Sequence, residues 1–379
     1  NITLTIPNWI VDKPSGIVTL STAAIHSISQ RMTILQGIVD QSTNQITGGG
    51  DLYMSGGEFR IARVGGTFPA LTGSYVLTGG KVQLYGAGIQ TLRGPRTYYD
   101  LEFAGTDIKS LGGHTTVNHE LFFSMPTTAG NYVNGGASRI YVTNSDPAAV
   151  IRTGGHMVGN LRRNILGNGI YKFPVGSNGS STVTYYEPID IQPVGLTGTG
   201  FVTVAFNKNA PNPGAVVPPL TEFGATFTTM ETEGFWEVNP DAQPTGGTFT
   251  VTEYPSNGWI FSGISYTQVR QNTGGAQWTW NNSVRVTALK RRNYPSFSNF
   301  GIASSLDPLP VSGLVLAGVA EQNGVQLDWF SEGNMDPAIF QIERSIDGNT
   351  FLPIGSRAPE NGWNWVDGDP VNGDNYYRI

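Results

Sequence analysis

Between Val82 and Phe123 the chain repeats itself, and this constrains its fold more than any other feature. Val82-Gln-Leu-Tyr-Gly-Ala-Gly-Ile-Gln-Thr-Leu-Arg-Gly94 aligns with Leu101-Glu-Phe-Ala-Gly-Thr-Asp-Ile-Lys-Ser-Leu-Gly-Gly113 at an offset of 19 residues. Val82 matches Leu101, Leu84 matches Phe103, and Gly86, Ile89, Leu92 and Gly94 match Gly105, Ile108, Leu111 and Gly113. A third apolar run, Leu121-Phe-Phe123, begins one period later, displaced by a single residue. A period near 20 with strand-like pieces and glycine corners predicts a stacked β-solenoid, in which neighbouring coils cover one another's apolar face. The alternative for the same pattern is a pair of similar hairpins in an antiparallel sheet.

The wider composition agrees with an all-β chain. There are 50 glycines among 379 residues, and charged residues make up only 13%, well under the roughly 25% of an ordinary soluble domain. Glycine supplies positive φ at tight corners, and Asn and Ser bond their own backbone there. From Ile2 to about Tyr171 short strand-like runs alternate with Gly-Gly pairs at Gly56, Gly65, Gly79, Gly112, Gly135 and Gly154. Residues 1–172 therefore read as the solenoid, with Ala23 to Ser29 as a short helical or irregular cap. Longer alternating strands between 173 and 305 predict an antiparallel sandwich. The stiff Leu306-Asp-Pro-Leu-Pro310 then leads into a third module, 306–379. Here Gly313–Ala317, Val325–Trp329, Phe340–Ser345 and Tyr376–Ile379 read as strands, with Trp329 facing the core. The last edge strand of that sandwich is missing, so Tyr376, Tyr377, Arg378 and Ile379 form an open edge for strand completion. The chain opens and stops inside strand-like segments and reads as an excerpt of a longer polypeptide.

Several function classes are disfavoured. A net charge of −6 argues against nucleic acid, which demands a basic face. The basic clusters Arg162-Arg163 and Lys290-Arg291-Arg292 are expected on solvated strand edges. With no cysteine there are no disulfides, thiol nucleophiles or thiolate metal sites. No apolar run is long enough to span a bilayer as a helix.

The motifs Leu309-Pro-Val311, Val325-Gln-Leu-Asp-Trp329, Phe340-Gln-Ile-Glu-Arg-Ser-Ile-Asp-Gly-Asn-Thr-Phe351, Ile354-Gly355 and Asn375-Tyr-Tyr-Arg378 follow in order. This set resembles the fibronectin type III-like module of very large secreted and gliding-associated surface proteins of Bacteroidota. There the module commonly precedes a type IX secretion sorting domain. The repeat, with Tyr98-Tyr-Asp-Leu-Glu-Phe103, and Phe173-Pro-Val-Gly176 are similar to other parts of the same proteins. The resemblance implies export to the bacterial cell surface and an adhesive or structural role. No sorting domain is visible in the sequence.

For catalysis, a solenoid needs clustered carboxylates on one face of successive coils. Asp100, Glu102, Asp107 and Glu120 lie near the repeat, with Arg93, Arg96 and Lys109 beside them, but Glu102 faces Leu121 one period on. Neither His114 nor His119 has a metal-motif spacing, and Asp367, Asp369 and Asp374 read as turn formers; no metal or cofactor is expected. Trp278 and Trp280 share a strand face. They make a sugar platform if exposed and a sandwich core if buried. Trp363 and Trp365 repeat that spacing in a loop. The sequence thus predicts an all-β, non-enzymatic extracellular structural or adhesive segment acting as stalk, adhesin or filament subunit. Its expected partners are other copies of itself, adjacent modules of the same polypeptide, or surface glycans. The alternative is a carbohydrate-binding module of a secreted polysaccharide-degrading protein.

Overall fold

The computed structural model describes residues 2–20, 24–66, 68–178, 185–208, 216, 219–222, 224–256, 258–259, 261–271, 277–280, 283–306, 314–321, 324–331, 339–358 and 363–379. The described residues are mostly in strands, with one short 3-10 turn at Pro147–Ala149 and no α-helix among them.

The repeat is a solenoid, and its register is the one the alignment gives. Leu101 lies opposite Val82 and Phe103 opposite Leu84 in a parallel pair. Leu111 likewise lies opposite Leu92. On the next coil Leu101 meets Leu121 and Phe103 meets Phe123, absorbing the one-residue displacement. One face is a parallel ladder through Ile2–Thr19, Ala24–Ser42, Asp51–Ile61, Tyr75–Leu84, Asp100–Phe103, Leu121–Ser124 and Val150–Gly154. Alternate residues point inward, so Ile34, Phe59, Leu84, Phe103 and Phe123 are buried in the interior. Phe103 and Phe123 stack at 6.1 Å. Ala24–Ser42 is a single strand, so no helical cap forms there; Ala23 lies outside the described residues.

The Gly-Gly pairs do not always end strands. Gly56 and Gly57 sit inside Asp51–Ile61, and Gly79 and Gly80 inside Tyr75–Leu84. Gly37, Gly57 and Gly80 stand at φ +84°, +68° and +75° on successive coils. A Cβ on Gly57 would lie 2.5 Å from the Gly37 carbonyl oxygen, and one on Gly80 would lie 2.4 Å from that of Gly56. The corner therefore bends without breaking the ladder, because only glycine fits both the conformation and the space.

Pairing changes character at Met157–Asn164. This strand is parallel to Val133–Val142 on one side and antiparallel to Phe201–Lys208 on the other. The solenoid sheet thereby runs straight on into a sandwich sheet containing Gly234–Pro240, Ser265–Gln271 and Phe300–Ser305. A second sheet, Tyr171–Phe173, Ile189–Thr197, Gly246–Glu253, Lys290–Tyr294 and Val284–Thr287, packs across from it. Both regions share one apolar core, running from Val11 to Ile302. They belong to one compact unit, residues 1–220 with 227–305.

Arg163 and Arg291 are not on solvated edges. Both are buried, because each guanidinium finds oxygen partners inside. Arg163 donates to the carbonyls of Lys172 (2.8 Å), Asp146 and Pro147 (both 3.0 Å). Arg291 donates to the Gln268 carbonyl and the Thr267 hydroxyl, both at 2.9 Å. A charge-assisted clasp on main-chain oxygens is worth more in the interior than a solvated charge at an edge.

The second unit comprises residues 221–226 and 306–379. Leu314–Glu321, Gly324–Ser331 and Asn364–Asp367 form one sheet; Leu352–Arg357, Phe340–Ser345 and Tyr376–Arg378 form the other. Leu327, Trp329, Phe340 and Ile342 are its core, with Trp329 against Phe340 at 5.2 Å. Most of the linker expected at Leu306–Pro310 lies outside the described residues.

Candidate functional site

The residues expected to carry binding are dispersed. Trp278 is fully buried against Phe235, so its ring is not exposed as a platform. Trp280 is half-buried, with Phe227 at its edge and the Arg291 guanidinium 4.5 Å over its ring. Trp363 and Trp365 flank and enter the strand Asn364–Asp367 and pack on the core of the second unit. Tyr376–Arg378 pairs with Phe340–Ser345 through Glu343, Arg344 and Ser345. Its other edge pairs with no described strand. Tyr376 is exposed, while Tyr377 and Ile379 pack on the core. The Tyr377 hydroxyl donates to Asp367 at 2.8 Å, and Arg378 pairs with Glu343. Asp367 also accepts from Arg344 at 2.8 Å, which lowers its pKa together with the Tyr377 bond despite burial.

On the solenoid the acidic residues regroup. Glu102 lies opposite Phe122, and its carboxylate takes Lys81 at 2.6 Å; Lys81 also reaches Glu58 at 3.4 Å. The coil between Leu101 and Leu121 is 20 residues long rather than 19, which sets Glu120 beside Asp100. Asp100, His119 and Glu120 offer ligand atoms within 4.8 Å of one another. Asp100 Oδ1 already accepts from His119 Nδ1 (2.8 Å) and from the Glu120 amide (2.9 Å). This is the geometry of a hydrogen-bonded pair that locks a corner. The His119 ring stacks on Tyr99 at 4.7 Å. Residue spacing alone missed the trio, since it follows from a one-residue change in coil length.

Lys109 is also structural. Fully buried, it donates to the carbonyls of Thr106 (2.7 Å), Gly86 (2.8 Å) and Gly88 (3.2 Å). Burial pushes its pKa down to about 8. Gln90, its neighbour one coil earlier, does the same work on the carbonyls of Ile61 and Arg63.

A groove of about 620 Å³ lies on the solenoid flank. Tyr75 and Thr78 come from one coil, Arg96, Thr97 and Tyr99 from the next, and Asn118 from a third. Arg96 lies flat over Tyr75, 3.4 Å from its ring centroid. The Tyr75 hydroxyl is held by the backbone of Pro69 and Leu71, which fixes that wall. No protein-family model, no curated protein and no solved structure matches this chain.

Proposed function

We propose that this chain is a non-enzymatic structural and adhesive segment of a large extracellular bacterial surface protein, working by stacking coils into a stiff stalk. One observation carries the reading. The strand Ile2–Thr19 pairs only with Ala24–Ser42 among the described residues, and its outer edge is bare. Leu4, Ile10 and Ile17 on it are 48%, 65% and 50% exposed. An apolar rung with one edge unpaired among the described residues is suited to receive another coil. The resemblance of the second unit to a fibronectin type III-like module of Bacteroidota surface proteins supports the same setting, with type IX export. The edge of Tyr376–Arg378 that pairs with no described strand extends the principle, since a strand from a neighbouring module would complete that sheet.

Light scattering and negative-stain imaging of the purified chain test this reading. The expected result is concentration-dependent end-to-end assembly that the double substitution Ile10→Lys with Ile17→Lys disperses. A chain that stays monomeric at the highest concentration reached, with or without those substitutions, overturns it.

A further inference from the structure

The flank groove has a composition that the stacking role does not require. The guanidinium of its one ionisable cation, Arg96, forms no ion pair or hydrogen bond with any described residue, and its Nε is buried without an acceptor. Stacking on Tyr75 occupies the face of the guanidinium and leaves its terminal in-plane donors uncommitted. Arg93, exposed three residues upstream, adds positive charge close enough to act on Arg96. No acidic residue lines the groove, although the chain as a whole carries a net charge of −6. Lys81, Arg60 and Arg31 on this solenoid are neutralised, by Glu58 and Glu102, by Glu58 and by Asp51 respectively, whereas Arg152 and Arg162 stack on aromatic rings as Arg96 does. What sets this groove apart is that such a cation lines an open concavity with no acidic residue in its wall.

The remaining lining narrows the ligand. The Thr97 and Tyr99 hydroxyls and the Asn118 side-chain nitrogen Nδ2 bond no described residue, and they stand around an aromatic wall. Coils rise by about 4.8 Å each, so a groove across three of them offers a track about 10 Å long. A hydroxyl- and amide-rich track beside aromatic rings suits a polyhydroxylated chain, and the guanidinium fork suits a carboxylate or sulfate on it. A nucleic acid would demand a much larger basic face.

We propose that this groove binds an acidic oligosaccharide, with Arg96 pairing its carboxylate or sulfate and Thr97, Tyr99 and Asn118 bonding its hydroxyls. The site is independent of the stacking rung, so it stands whether or not the chain self-assembles.

Calorimetric titration with oligogalacturonate tests it, with cello-oligosaccharide and poly-glutamate as the neutral and the non-sugar anionic probes. Oligogalacturonate is expected to bind, and Arg96→Gln to weaken it by about tenfold or more, as loss of a charge-assisted bond should. Arg96→Lys keeps the charge without the fork and is expected to lie between. Thr97→Asp, at an exposed position that leaves Arg96 in place, is expected to abolish binding by adding a negative charge to the wall. Circular dichroism of each variant checks that the coil is intact. Equal binding of cello-oligosaccharide or poly-glutamate overturns the assignment. So does an affinity unchanged by both Arg96→Gln and Thr97→Asp, or no binding of either oligogalacturonate or a sulfated oligosaccharide.

Discussion

Some single residues in this protein are fixed by backbone requirements rather than by side-chain packing. Gly57 combines φ +68° with a carbonyl oxygen 2.5 Å from where a Cβ would sit, whereas Gly65 has φ +76° and open space around it. Gly57→Ala is expected to destabilise the first unit by about 1–3 kcal/mol from conformational strain, with the clash in addition. Gly65→Ala should cost only the conformational part, about 1–2 kcal/mol. Urea unfolding of the two variants separates these contributions, and equal losses would show that the corner contact is unimportant. Buried cations follow the same backbone logic. Lys109 and Arg163 each gather backbone carbonyls around one buried cation, a role that charge and spacing in the sequence do not announce.

At the scale of elements, the parallel ladder was legible because apolar residues and glycines recur at matched positions in coils of similar length. The earlier corner at Gly37, Gly57 and Gly80 was less legible, since its coils differ in length and the glycines fall within strands. In the sandwich, Glu187 shows how an element is fastened from inside. Its carboxylate accepts from Ser256 N (2.8 Å), Ser256 Oγ (2.5 Å) and Trp259 Nε1 (2.9 Å), while its carbonyl takes Trp236 Nε1 at 2.7 Å. Burial raises its pKa to about 7 from an ordinary value of 4.5, outweighing those bonds. Between the two values the folded state binds more protons than the unfolded chain. The contribution to stability is thus full below the unfolded pKa and is lost as pH rises through about 7. Melting temperatures measured from pH 4.5 to 8 should show a fall that Glu187→Gln flattens. A slope that persists in the variant would place its origin elsewhere.

For the whole molecule, the decisive feature is that solenoid and sandwich share one core while residues 306–379 build another. Scanning calorimetry is expected to show two transitions. Phe103→Ala, which empties a fully buried position, should lower the larger one by about 3–5 kcal/mol of stability and leave the smaller unmoved. A single transition that shifts as one would contradict this division. The sequence by itself determined the all-β class, the register of the repeat from Val82 to Phe123 and the inward Trp329, because each depends on local periodicity. Tertiary structure alone decided that Met157–Asn164 joins parallel to antiparallel pairing, and that Trp278 is buried against Phe235. It also brought Tyr75, Arg96 and Asn118 from three coils to one groove. Those outcomes depend on which distant strands meet and on single-residue differences in coil length, and local patterning carries no record of either.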